Sequence, residues 1–129
     1  MSVRNELVNS LIEHIISSTS MRGFRGLRYL HEINDFPSFY IHVRQENRVH
    51  ISGGVKLCMI ICDLKIYAYS DSIDEIEQLL RAVEASIDSF DSDCLSDDVR
   101  VLTVKTDEGL AIPYLTGDIV FQILYRINK

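Results

Sequence analysis

The chain has 129 residues, enough for one domain with a hydrophobic core, and its 47% apolar and 25% charged residues indicate a globular rather than a disordered protein. The net charge of −6 argues against a broad basic surface for DNA or RNA, because phosphate binding needs clustered Lys and Arg. The first twenty residues lack a signal-peptide pattern, and no apolar run reaches the ~18 residues of a membrane span. We therefore expect a single domain over residues 1–129 in a soluble, cytosolic protein.

A first helix is predicted over residues 2–18, where apolar residues recur at the spacing of one helix face. This stripe consists of Leu7, Val8, Leu11, Ile12, Ile15 and Ile16. Two glycines and two arginines then break the periodicity, so residues 19–34 are predicted to form a loop. Arg22, Phe24 and Arg25 in this loop are either part of an interface, where Arg and aromatic residues are enriched, or an ordinary surface loop.

The next predicted elements are two strands joined by a tight turn. Phe39, Ile41 and Val43 alternate with polar residues, as they do in a half-buried strand. The glycine pair at residues 53–54 lies between two strand-like runs, which indicates a hairpin over residues 46–54.

The segment GGVKLCMIICDLKIYAYSD is predicted to form one long strand. Its even positions are all apolar, and they include Cys58 and Cys62, which lie roughly 13 Å apart along a strand and are too distant for a disulfide. Its odd positions begin with Leu57, Met59 and Ile61 and become mixed only afterwards. One face therefore belongs to the core, and half of the other face is apolar as well.

A second helix is predicted over residues 73–89, preceded by the capping-box spacing of Ser72 and Glu75. Its apolar stripe consists of Ile73, Ile76, Leu80, Val83, Ile87 and Phe90. An acidic loop over residues 91–98 and two strands, VRVLTVKT and DIVFQILYRI, complete the chain. The order α-β-β-α-β-β predicts an α+β fold, a two-layer sandwich in which two amphipathic helices cover one face of a four-stranded, mainly antiparallel sheet.

The sequence contains no motif of an active site or cofactor site, since G-x-G-x-x-G, the P-loop, G-x-S-x-G and H-E-x-x-H are all missing. The acidic loop lacks the glycine and the spacing of a calcium site. The four histidines lack further ligands for zinc and are interpreted as surface or structural residues, and the three cysteines as core thiols. These residues are His14, His31, His42, His50, Cys58, Cys62 and Cys94. We expect no catalysis, no metal and no cofactor.

The apolar half of the long strand's second face needs a cover, because two helices can cover only one face of a sheet. A neighbouring subunit is the simplest cover, so Leu57, Met59 and Ile61 are predicted to lie at a subunit interface. From its residues alone, the chain is expected to be a homo-oligomeric structural or interaction protein.

Several short phrases of the sequence occur in the order that is found in one protein family. They are Asp35-Phe36-Pro37, the run from Tyr67 to Asp74, Asp107-Glu108-Gly109 and the run from Phe121 to Tyr125. Together with the amphipathic first helix they span nearly the whole chain. In this pattern the sequence resembles the tail terminator (tail completion) proteins of long-tailed bacteriophages.

The resemblance implies a virion protein that forms a ring of six subunits on the head-proximal end of the tail tube, after assembly in the host cytoplasm. Such a ring stops polymerisation of the tube protein and presents a surface to the neck or head-completion protein, while DNA passes through without specific binding. Because loops on a rigid scaffold carry recognition, the residues predicted to contact the tube or neck are Arg22, Phe24, Arg25, Arg48 and His50.

Two alternative functions stay open on the sequence. A neck or head-completion protein (a head–tail connector) is also small, ring-forming and non-catalytic, and its place in the assembly order would distinguish it. A cytosolic ferredoxin-like binding domain would instead need a pocket with converging polar groups.

Overall fold

A computed structural model of the chain describes residues 3–26, 37–50, 53, 55–69, 72–90, 98–107 and 114–128. Two helices and five strands follow one another along these residues. They are α1 (Val3–Thr19), β1 (Arg22–Arg25), β2 (Ser38–His50), β3 (Val55–Tyr69), α2 (Ile73–Asp88), β4 (Asp98–Asp107) and β5 (Tyr114–Asn128). The α+β class is confirmed, and both helices begin and end within one residue of their predicted bounds.

The five strands form one sheet in the order β1-β2-β3-β5-β4. β1 pairs parallel with β2, whereas the other neighbouring pairs in this sheet are antiparallel. The expected two-layer sandwich with a four-stranded, mainly antiparallel sheet is therefore wrong. Residues that were predicted to lie in a loop add a fifth strand, and the parallel pairing of that strand makes the sheet mixed.

β1 packs tightly against β2 and α1 because residue 23 is a glycine. A Cβ atom at Gly23 would lie 2.5 Å from Cζ of Phe39 and 3.1 Å from Cγ2 of Ile12, so a larger residue would displace core side chains. The backbone amide of Gly26 donates a hydrogen bond to the carbonyl of Ile41 at 2.8 Å. This contact holds the end of β1 against the first half of β2.

β2 and β3 form the predicted hairpin, and β2 continues through its polar second half along β3. The register of the pair shifts between Val43 and Gln45, which marks a β-bulge. Before the bulge, Phe39 and Ile41 lie on the face that carries the core, and after it Glu46 lies on that same face. Odd-numbered positions of β2 therefore point inward before the bulge, and even-numbered positions point inward after it.

One face of the sheet, here called the inner face, packs against both helices and forms the hydrophobic core with them. The even positions of β3 from Cys58 to Ala68 are all buried, as their alternation predicts. Gly117 of β5 leaves room for α2, since a Cβ there would lie 2.8 Å from the Leu80 side chain. Two residues of the predicted helix stripes, Ile16 and Ile73, are exposed rather than buried.

The two strand cysteines are core thiols, as predicted. Cys58 and Cys62 are buried and free, and burial raises the pKa of the Cys62 thiol to about 12. Predictions were also made for Cys94, His31 and the acidic stretch 91–97. These residues lie outside the described part of the chain. The last residue of the predicted acidic loop, Asp98, begins β4 instead.

Candidate interaction surface

The outer face of the sheet, opposite the inner face, divides into an apolar half and a polar half. On β3 it carries the odd positions, with Leu57, Met59 and Ile61 toward one end and Asp63 and Lys65 toward the other. Successive side chains of a strand point to opposite faces, so these residues lie away from the buried even positions. The division that the sequence predicts for β3 is therefore present in the sheet.

The apolar half extends from β3 onto β5, where Leu124 lies opposite Met59. Val120 lies opposite Asp63 at the boundary with the polar half, and Gln122, opposite Ile61, separates it from Leu124. We define the apolar half as Leu57, Met59, Ile61, Val120 and Leu124. All five side chains are partly exposed, whereas the inner-face side chains beside them are buried. The structure thus brings the three predicted interface residues together with two apolar residues that the sequence analysis did not select.

Polar residues border the apolar half on the two flanking strands. Gln45 and Asn47 of β2 lie opposite the apolar positions of β3. On β4, Arg100 and Asp98 form an ion pair with 3.6 Å between Nη2 and Oδ2. An apolar patch with a polar rim is typical of a surface that binds another protein, although Gln122 interrupts the patch on β5.

The polar half forms a shallow cleft of about 280 Å³. Nε of Arg44 donates a hydrogen bond to Oδ2 of Asp63 at 3.0 Å, the rings of Tyr40 and Tyr67 lie 6.0 Å apart, and Nζ of Lys65 lies 5.9 Å from the Tyr67 ring. Burial and the neighbouring Tyr67 raise the pKa of Tyr40 to about 12. Because these groups contact one another instead of converging on one position, the cleft gives no support to a ligand-binding domain.

A polar network that the sequence analysis missed lies on the inner face beside the first turn of α1. The hydroxyl of Tyr125 donates to Oε1 of Glu46, Nη2 of Arg48 donates to Oε2 at 3.0 Å, and Nη1 of Arg4 lies 3.8 Å from that oxygen. Burial alone would raise the pKa of Glu46, but the hydrogen bonds from Tyr125 and Arg48 outweigh it and the pKa is lowered. A tyrosine in an otherwise apolar stripe was the available signal, since buried Tyr hydroxyls need partners.

The residues predicted to contact the tube or neck lie at two separate places. Arg22, Phe24 and Arg25 belong to β1, which is an edge strand and not a loop. Arg48 and His50 lie at the other end of β2, about 20 Å or more from the β1 pairing as judged by the rise per residue. The structure does not bring the two groups together. The expectation that these five residues lie in loops is wrong, because Arg48 and His50 are the last residues of β2 just as the other three belong to β1.

Comparisons with known proteins do not extend this description. A scan of the chain against models of protein families finds no match, and a search of curated protein sequences finds none at a significant level. Neither described helix is long and apolar enough to cross a membrane. Among the described residues, no three His, Cys, Asp or Glu side chains come together as a metal site would require.

Proposed function

We propose that this chain is a structural virion protein that forms a ring on the head-proximal end of a phage tail tube. In this role the ring stops polymerisation of the tube protein and offers the attachment surface for the neck. The sequence resemblance supplies the biological setting of the proposal. The observation that carries it is the partly exposed apolar half of the outer face, which a neighbouring subunit would cover.

The apolar half alone is too small to hold two subunits together. Full burial of a Leu, Ile or Met side chain contributes about 1.5–3 kcal/mol, and these five side chains are already partly covered. Association costs an estimated 4–15 kcal/mol or more in lost translational and rotational freedom. A stable ring therefore needs further contacts between subunits, and the closure of a ring helps because every subunit is then held on two sides.

The charge of the protein is compatible with a channel for DNA. A ring of subunits that each carry a net charge of −6 repels a duplex, so DNA can slide through it without being held. Specific DNA contacts are not part of the proposal.

The hairpin end of β2 and β3 is the proposed contact with the tube or neck. The side chain of Arg48 is exposed there, although Glu46 orients it through hydrogen bonds of 3.1 and 3.0 Å. An arginine that is held in place loses less side-chain freedom on binding, and its guanidinium can still donate to a partner carboxylate or carbonyl. His50, the last residue of β2, is the second candidate for contact with the tube or neck at this end.

Tail length in a complementation experiment tests this function. In a phage whose genome encodes this chain, removal of the chain should give tubes of irregular and excessive length, and the wild-type chain supplied in trans should restore normal tails. An Arg48→Glu variant should keep its ring and fail in this assay. Tubes of normal length in the absence of the chain would contradict termination, and normal tails that lack heads would instead assign the chain to the neck.

A further inference from the structure

The two edges of the sheet differ in a way that favours contact between them. In the described part of the chain, β1 and β4 are the edge strands, and edge strands present backbone donors and acceptors that can pair with another strand. β4 also carries two exposed apolar side chains, Leu102 at 47% and Val104 at 40%. A bulge between Val101 and Thr103 and the charged Arg100 and Lys105 partly protect this ten-residue edge, and a partner strand would cover the apolar side chains that stay exposed.

A groove of about 570 Å³ runs beside this edge, between β4 and α2. Leu80 and Val104 form its apolar lining, and Glu77 and Glu84 lie along its helical side. Arg81 and Lys105 also line the groove, but α2 as a whole carries five carboxylates against one arginine. The groove lining itself therefore has two carboxylates and two cations, and the acidic balance beside β4 comes from α2 as a whole.

The opposite edge has the complementary charge. β1 has the sequence RGFR and carries two arginines in four residues. The guanidinium of Arg25 donates to the side-chain oxygens of Asn5 at 3.1 Å and Asn9 at 3.5 Å. Both of these partners are neutral, so the contacts orient the arginine on the helix-bearing side without neutralising its charge.

We propose that β4 of one subunit pairs antiparallel with β1 of a second copy of this chain. The inference rests on the proposed ring and names the contact that builds it. The direction follows from the sheet, because β4 runs parallel to β3 while β1 runs parallel to β2 and antiparallel to β3. A rotation about an axis along the strands keeps both subunits upright, so the two edges meet antiparallel and head to tail.

This pairing places consecutive residues of β1 on the two faces of the joined sheet. Arg25 lies opposite Ile41 on the inner face, so it would meet the groove that Glu77 and Glu84 line. Phe24 lies opposite Tyr40 on the outer face. There it would stand two strand spacings, roughly 10 Å, from β5 of the neighbour and would begin to cover that subunit's apolar half.

The pairing would also satisfy the outward-facing backbone groups of both edge strands. Each subunit offers β4 on one side and β1 on the other, which is a heterologous arrangement that closes into a ring and leaves no free edge. β1 is thereby assigned to the contact between subunits, and the hairpin end keeps the role of binding the tube or neck.

Charge reversal with rescue tests the pairing. The concentration at which half of the rings dissociate would be measured by sedimentation for wild type, Arg25→Glu, Glu84→Arg and the double variant that exchanges the two charges. Glu75→Arg is the matched control, since it makes the same charge change on α2 outside the groove lining. Each single reversal should raise the half-dissociation concentration at least about tenfold. The double variant should bring that concentration most of the way back to the wild-type value, because close interfacial charge pairs are strongly coupled.

The outcomes separate this contact from the ring itself. Rings that tolerate both single reversals as well as the control would overturn the edge pairing while the proposed function stands. A wild-type chain that stays monomeric would overturn both. Because Arg25→Glu also loses the bonds to Asn5 and Asn9, thermal unfolding is measured alongside, and Glu84→Arg decides the result if Arg25→Glu unfolds.

Discussion

The hydroxyl of Tyr125 in β5 donates a hydrogen bond to the carboxylate of Glu46 in β2, across the width of β3. The two residues are 79 positions apart in the chain. Burial and the bond to Glu46 raise the pKa of Tyr125, so the phenol keeps its proton and stays a donor. The pair joins three strands at the end of the inner face, and Arg4 ties the first turn of α1 to it.

The first prediction concerns the pH dependence of stability. The pKa of Glu46 is lowered in the folded state, so its contribution is present above the unfolded value, about 4.3, and is lost as the pH falls through the folded pKa. We expect Glu46→Gln to be less stable than wild type at neutral pH and to lose that difference on acidification. Urea unfolding at several pH values measures it. Glu13→Gln, an exposed helical control, should follow wild type throughout.

Much of this fold follows from the local pattern of the sequence. The even positions of β3, the hairpin with β2 and the bounds of both helices were predicted, because alternation, a glycine pair and helical spacing act over a few residues. β1 was missed for the opposite reason. Four residues are too short for a period, and the parallel pairing with β2 depends on contacts of Gly23 with Phe39 and Ile12 that no local pattern records.

The candidate surface was predicted only in part. The sequence shows that β3 has more apolar positions than one buried face needs. That these positions lie beside Val120 and Leu124 depends on the register between β3 and β5. The network of Glu46 was hidden by the bulge between Val43 and Gln45. An uninterrupted alternation from Ile41 would place Glu46 on the outer face, whereas the extra residue turns it inward to Tyr125.

A second prediction tests how β1 is attached. Gly23→Ala should destabilise the protein by about 1–3 kcal/mol, because the new methyl group would overlap the buried ring of Phe39. Gly26→Ala is the comparison: nothing lies within 4 Å of a Cβ there, and only its φ of +80° opposes the change, at a cost of about 1–2 kcal/mol. Replacing the ring by a smaller apolar side chain, Phe39→Leu, should reduce the destabilisation caused by Gly23→Ala but not that caused by Gly26→Ala. Equal effects of Phe39→Leu in both backgrounds would be inconsistent with the packing described for β1.

The third prediction concerns the reactivity of the core thiols. In a Cys94→Ser background, Cys58 and Cys62 are the remaining cysteines, and both are buried. Burial raises the pKa of Cys62 to about 12, so almost no thiolate is present at neutral pH. A thiol reagent should label both residues rapidly in urea and should label the native protein only slowly, because the reagent reaches the thiols only when the fold opens. Fast native labelling of either cysteine would show that the inner face of β3 is accessible.

The fourth prediction places the apolar half at an interface. Met59→Asp and Ile61→Asp should each abolish rings while helix content is kept, because a carboxylate that is buried without a partner is costly. Ile16→Asp is the matched control, since Ile16 is an exposed apolar residue on α1 and lies away from the outer face. Mass and circular dichroism are measured on the same samples. Rings in both strand variants at wild-type concentration would remove the apolar half from the interface.

The mass of the purified wild-type chain in solution decides whether the chain forms a closed ring. A closed ring predicts a single species of about six subunits whose mass stays constant as the protein concentration rises, because closure leaves no site for further addition. Sedimentation equilibrium measures this without a partner protein. A chain that remains monomeric up to ~100 μM would have a self-affinity too weak for such a ring, and this result would contradict the proposed ring.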